Sequence, residues 1–206
     1  MTPPIAVLSP GERERLLSDI YYLNTAELRG FCEVHGIPFI IQVETPQGRI
    51  ARSKDTDRKG IVIDRILHFL NTGAIKPSTI FRKEVVTTKD LGRAPLESDP
   101  VLYGQYKNGD AATLRLMKQL TRGEFDFGAI AQEVLRASWS GNHAPTYREF
   151  ARLWEKAVAA HSRPNPEWAF LSDRAKGTAG PNWKNLRNQK ATSVIAILGK
   201  VAPRFS

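Results

Sequence analysis

Apolar positions along the chain alternate between helical spacing, strand-like alternation and irregular stretches. Leu16, Leu17, Ile20, Tyr21 and Leu23 recur at three- and four-residue intervals, which predicts a helix. Ser9-Pro10-Gly11-Glu12 supplies its start: Ser9 caps, Pro10 suits the first helical position, and Glu12 completes a capping box. Asn24-Thr25-Ala26-Glu27 repeats that start. Leu28, Phe31, Cys32 and Val34 then form the apolar face of a short helix that His35-Gly36 closes.

From Ile37 the pattern changes. Phe39 to Glu44 is β-branched and partly alternating, Thr45-Pro46-Gln47-Gly48 signals a turn, and Arg49 to Arg52 alternates again. A β-hairpin or extended arm is expected there. Ser53 to Asp57 reads as a polar linker whose last residue caps the following helix. That helix carries Ile61, Val62, Arg65, Ile66, Phe69 and Leu70 and ends at Asn71-Thr72-Gly73.

Beyond residue 76, three prolines and mixed polarity over 77–100 predict a linker. Helical spacing returns with Leu114, Met117 and Leu120, and again after Gly123 through Ile130, Val134 and Leu135. Thr146-Tyr147-Arg148-Glu149 is a third capping box, opening a helix with Phe150, Leu153, Trp154 and Val158. Trp168, Phe170 and Leu171 suggest a short helix. Trp183, Leu186, Val194, Ile195 and Leu198 suggest the last one, with Trp183 read as core.

Two resemblances follow from these motifs. Glu27-Leu28-Arg29, His35-Gly36-Ile37, Arg58-Lys59-Gly60, Ile63-Asp64-Arg65-Ile66 and Leu70-Asn71-Thr72-Gly73 occur in the order found in SAP-like helix–extended–helix domains. The closing run looks like the bacterial variant. The resemblance covers about a quarter of the chain, over 24–73, and departs from the pattern where Pro38 to Asp57 inserts a hairpin. The second half is similar to a bacterial domain of unknown function that often follows a SAP-like domain. Tyr106-Lys107-Asn108, Gly123 with Phe125 and Phe127, the Thr146-Tyr147…Phe150…Trp154 run and Trp183-Lys184 carry that similarity. It departs after Phe170, where only Asp173-Arg174 remains of an expected run.

The expected fold is mainly α: a SAP-like module with a hairpin insert over 1–76, a linker over 77–100, and a small all-α domain over 101–206. The resemblance implies DNA binding. Charge agrees, with 30 Lys and Arg against 21 Asp and Glu. The excess is concentrated. Residues 45–93 hold 11 bases and 5 acids, and residues 161–206 hold 8 and 2, while 94–160 balance at 8 each. Clustered cations attract phosphate by Coulomb attraction and counterion release.

The candidate phosphate contacts are Arg58, Lys59 and Arg65 on the helix, Arg49, Arg52 and Lys54 on the arm, and Lys184, Arg187 and Lys190 in a C-terminal stripe at three-residue spacing. The alternative for Arg65 is a structural ion pair with Glu27 or Glu33, and for the stripe the polar side of an amphipathic helix. Double-stranded DNA is the favoured partner, RNA stays open, and the C-terminal domain could engage a protein partner. The function alternatives are a protein-interaction adaptor in a bacterial complex and a nuclease.

Little points to catalysis. There is no Walker loop, HxH or HExxH. Asp99-Pro100 and Glu155-Lys156 do not make an ordered metal motif. Cys32, His35 and His68 would need a fourth ligand to hold zinc, and Cys32 lies on an apolar face. No catalytic residue, cofactor or metal is expected. The single cysteine suits a reducing, cytoplasmic setting. No apolar run approaches the roughly 20 residues of a membrane span, and the first residues lack the pattern of a signal peptide.

Overall fold

The computed structural model describes residues 2–161 and 181–201, with 161 and 181–183 described by backbone alone. Its contacts divide the chain into two compact units that interleave in sequence. The first holds 1–39, 56–78 and 164–206, and the second 40–55 and 79–163. This division differs from the segmentation expected from sequence in two ways. The hairpin belongs to the second unit, and the C-terminal helix packs in the first. The short helix expected around Trp168, Phe170 and Leu171 lies outside the described residues, as does the side chain of Trp183.

The first unit contains α1 (Pro10–Asp19), α2 (Thr25–His35), α3 (Lys59–Thr72) and, at the C-terminal end of the described chain, α7 (Pro181–Val201). Local chemistry sets the helix ends. Ser9 with Glu12, and Asn24 with Glu27, form reciprocal capping boxes, and Gly36 and Gly73 close α2 and α3 in the left-handed conformation at φ 67° and 75°. α3 starts differently. Its N-cap is Arg58, with no side-chain cap bond, because the expected cap Asp57 is turned into the core to meet Arg65. Leu16, Ile20, Leu28, Phe31, Ile63, Ile66 and Leu70 share one core with Val194 and Leu198 of α7. Each such fully buried side chain contributes about 1.5–3 kcal/mol.

The second unit contains β1 (Ile40–Glu44), β2 (Ile50–Thr56, whose last residue belongs to the first unit), β3 (Ile80–Phe81), α4 (Ala111–Leu120), α5 (Ala129–Ser140) and α6 (Tyr147–His161). The strands lie in the order β2-β1-β3, with β1 parallel to β3 in the register Gln42↔Ile80 and Val43↔Phe81. Ile41 and Phe81 point from this sheet into a core with Met117, Phe125, Leu135, Trp139, Phe150 and Trp154.

The expectation of a mainly α fold with an all-α second domain is therefore corrected. About 54% of the structure is helical, but among the described residues seven α-helices stand beside a three-stranded mixed sheet, a mixed α/β architecture. The physical reason is the pairing of the hairpin with Ile80–Phe81, with Ile41 and Phe81 both buried in the core of the second unit. The stretch read as a linker is also structured. Val85 is buried, Arg93 grips Asp99 through two bonds of 2.6 and 2.8 Å, and Asp99 also accepts from Leu96 N–H at 2.7 Å. Residues 53–56, read as a polar linker, continue strand β2.

Candidate nucleic-acid interface

The nine bases singled out by sequence fall into two kinds. In the first unit most are engaged by the fold. Arg65 is 4% exposed; its Nη1 lies 2.6 Å from Asp57 Oδ2 and donates to the Pro38 carbonyl at 2.9 Å. The ion pair seen for Arg65 is with Asp57, which the sequence alone does not name as its partner. Lys59 Nζ donates to the Tyr21 carbonyl, and Arg58 is half-buried at the start of α3. On α7, Arg187 donates to the Tyr22 carbonyl at 3.0 Å and pairs with Glu27. Lys190 pairs with Asp19 at 2.9 Å and sits 4.4 Å over the Tyr22 ring. Burial is the largest single influence and opposes the Lys190 charge, but the hydrogen bond and charge of Asp19, together with Tyr22, outweigh it and hold the pKa above the ordinary lysine value. Lys184 is exposed on α7.

In the second unit Arg49, Arg52 and Lys54 are exposed on the hairpin and have no acidic partner among the described residues. Alternation explains their placement. Ser53 and Asp55 turn inward, since Tyr103 Oη donates to Asp55 Oδ2 at 2.6 Å, so Arg52 and Lys54 occupy the opposite face of β2. β2 is an edge strand of the described sheet. Glu44 on β1 is engaged by Arg82 at 3.5 Å.

The inward face of β2 contributes to a cleft of about 340 Å³. Its lining includes Asp55, Tyr103, Asn108, Gln132, Arg136 and Trp139. Arg136 lies 3.7 Å from Asp55. Burial, then the hydrogen bond to Asp55, pushes the Tyr103 hydroxyl up to about 12, so it remains a donor at neutral pH. Trp139 is fixed by its Nε1 bond to the Val101 carbonyl at 2.8 Å. The cleft leaves no pattern in the sequence, because its residues come from β2, the 103–108 loop and α5 with no common spacing.

Cys32 is buried, and desolvation pushes its thiol up to about 12, which makes it a packing group rather than a nucleophile. Among the described residues no three His, Cys, Asp or Glu side chains converge as a metal group, and no helix is long and apolar enough to cross a membrane. Comparison with protein families, with curated proteins and with solved structures returns no match to this chain.

Proposed function

We propose that this chain is a non-enzymatic DNA-binding protein that contacts the phosphate backbone of double-stranded DNA with little sequence dependence, and that the β1–β2 hairpin carries the contact. One observation supports the hairpin above all: Arg49, Arg52 and Lys54 are exposed and lack acidic partners among the described residues, whereas Arg65, Lys59, Arg187 and Lys190 are engaged inside the first unit. A cation already paired must break that pair to reach a phosphate, while a solvated one only releases counterions. The net charge of +9 and the order of SAP-like motifs over 24–73 support the same reading. A cytoplasmic location goes with it, since the single cysteine is free and buried.

The test is fluorescence anisotropy with labelled duplexes of unrelated sequence, repeated across salt. Binding at about 50 mM salt that weakens steeply by about 200 mM and varies little with sequence is expected. Absence of duplex binding at low salt contradicts the proposal.

A further inference from the structure

Phosphate contact leaves the cleft of the second unit without a role. The geometry points to this cleft as the seat of a single unpaired nucleobase bearing an exocyclic amine, on a strand whose phosphates the hairpin holds. The inference rests on the nucleic-acid reading above. Its size suits the ligand, at about 340 Å³, near the lower end of small-molecule sites, about 300–1,000 Å³. Its chemistry suits a base better than a phosphate. Aromatic rings of Tyr103, Tyr106 and Trp139 supply apolar wall, and the carboxamides of Gln132 and Asn108 offer both donors and acceptors.

Asp55 sets the preference. Its Oδ2 accepts from Tyr103 and its Oδ1 lies 3.7 Å from Arg136, yet its side chain remains 41% exposed with lone pairs to spare. A carboxylate attracts the amine of adenine, cytosine or guanine and repels the acceptor edge of thymine. The wall is rigid. Tyr103 is bonded on both sides to the Val85 and Thr87 backbone, and Gly104 passes so close to Thr87 that a Cβ would lie 2.1 Å from its carbonyl oxygen. Lys54 and Asp55 are consecutive on an edge strand, so one faces a phosphate outside while the other faces the cleft.

The experiment compares three labelled duplexes by anisotropy: fully paired, with one bulged adenine, and with one bulged thymine. Wild type is expected to favour the adenine bulge over the paired duplex and over the thymine bulge by about tenfold each, the scale of one stacked and hydrogen-bonded base. Asp55→Asn keeps an acceptor for Tyr103 and should abolish the adenine preference, and Gln132→Ala should weaken the bulge effect alone. Paired-duplex affinity should stay unchanged in Gln132→Ala and should not fall in Asp55→Asn, since losing the carboxylate only adds positive charge beside Lys54. Equal affinity for all three duplexes, or an adenine preference that survives Asp55→Asn, overturns the cleft assignment while leaving backbone binding intact. If no duplex binds, titration with dAMP and TMP decides. Saturable binding of dAMP over TMP, lost in Asp55→Asn, supports a free nucleotide as the occupant, and no binding at millimolar nucleotide overturns the inference.

Discussion

Arg65 and Asp57 form a buried ion pair, 2.6 Å apart with each side chain 5% exposed, and Arg65 also ties down the Pro38 carbonyl. Pro38 and Asp57 stand at the two points where the chain leaves for the hairpin and returns, and Asp57 N–H bonds to the Phe39 carbonyl at 2.9 Å. One guanidinium therefore clamps the root of the excursion. This gives Arg65 a structural role in place of the phosphate contact its position in the SAP-like pattern implied.

Removing one partner of that pair strands the other. Arg65→Ala or Asp57→Ala is expected to cost about 3–5 kcal/mol, as for other broken buried pairs. The double variant Asp57→Leu/Arg65→Met should cost less than either single change. Urea denaturation measures all three. A single variant within about 0.5 kcal/mol of wild type, the range of ordinary surface changes, contradicts the clamp.

His35 makes stability fall in acid. Its ring lies 4.4 Å from Phe31 and 4.7 Å from Phe69, and its buried Nε2 has no hydrogen-bond partner among the described residues. Burial lowers its pKa below 6.5. The unfolded chain therefore takes up the proton first. The contribution is whole above the unfolded value and is lost as pH falls from there through the folded value. Urea midpoints should drop as the pH falls below about 6.5, and His35→Phe should flatten that part of the profile. Parallel profiles for the two proteins would show that His35 carries no linkage.

Gly104 is fixed by space as well as by its φ of 91°. Gly104→Ala drives a methyl against the Thr87 carbonyl and should cost about 1–3 kcal/mol or more, as overpacking does. Thermal unfolding of the variant checks it. A neutral result would mean that the 103–108 wall yields easily.

The local features were legible in sequence because their partners are three or four residues away. Ser9 with Glu12, Asn24 with Glu27, Thr146 with Glu149, and the glycines closing α2 and α3 all stand where their spacing placed them. The long-range choices were not legible. β3 is two residues long and pairs with β1 some 38 positions away, so it shows no alternation of its own. α7 joins a core with residues more than 160 positions earlier. The same distance hid the fate of the bases. Nothing near Arg187 or Lys190 in sequence announces Glu27 and Asp19.

The central claim is that the hairpin, and not the bases of the helices, holds the phosphates. The most direct measurement is the slope of log affinity against log salt for duplex DNA, in wild type and in Arg49→Ala/Arg52→Ala/Lys54→Ala. With about 0.9 of slope per phosphate contact, the triple variant should lose about 2–3 units while its thermal midpoint stays put. Arg187→Ala should leave the slope unchanged and lower stability instead. An unchanged slope in the triple variant contradicts the account, and would leave those cations as guards of an exposed sheet edge.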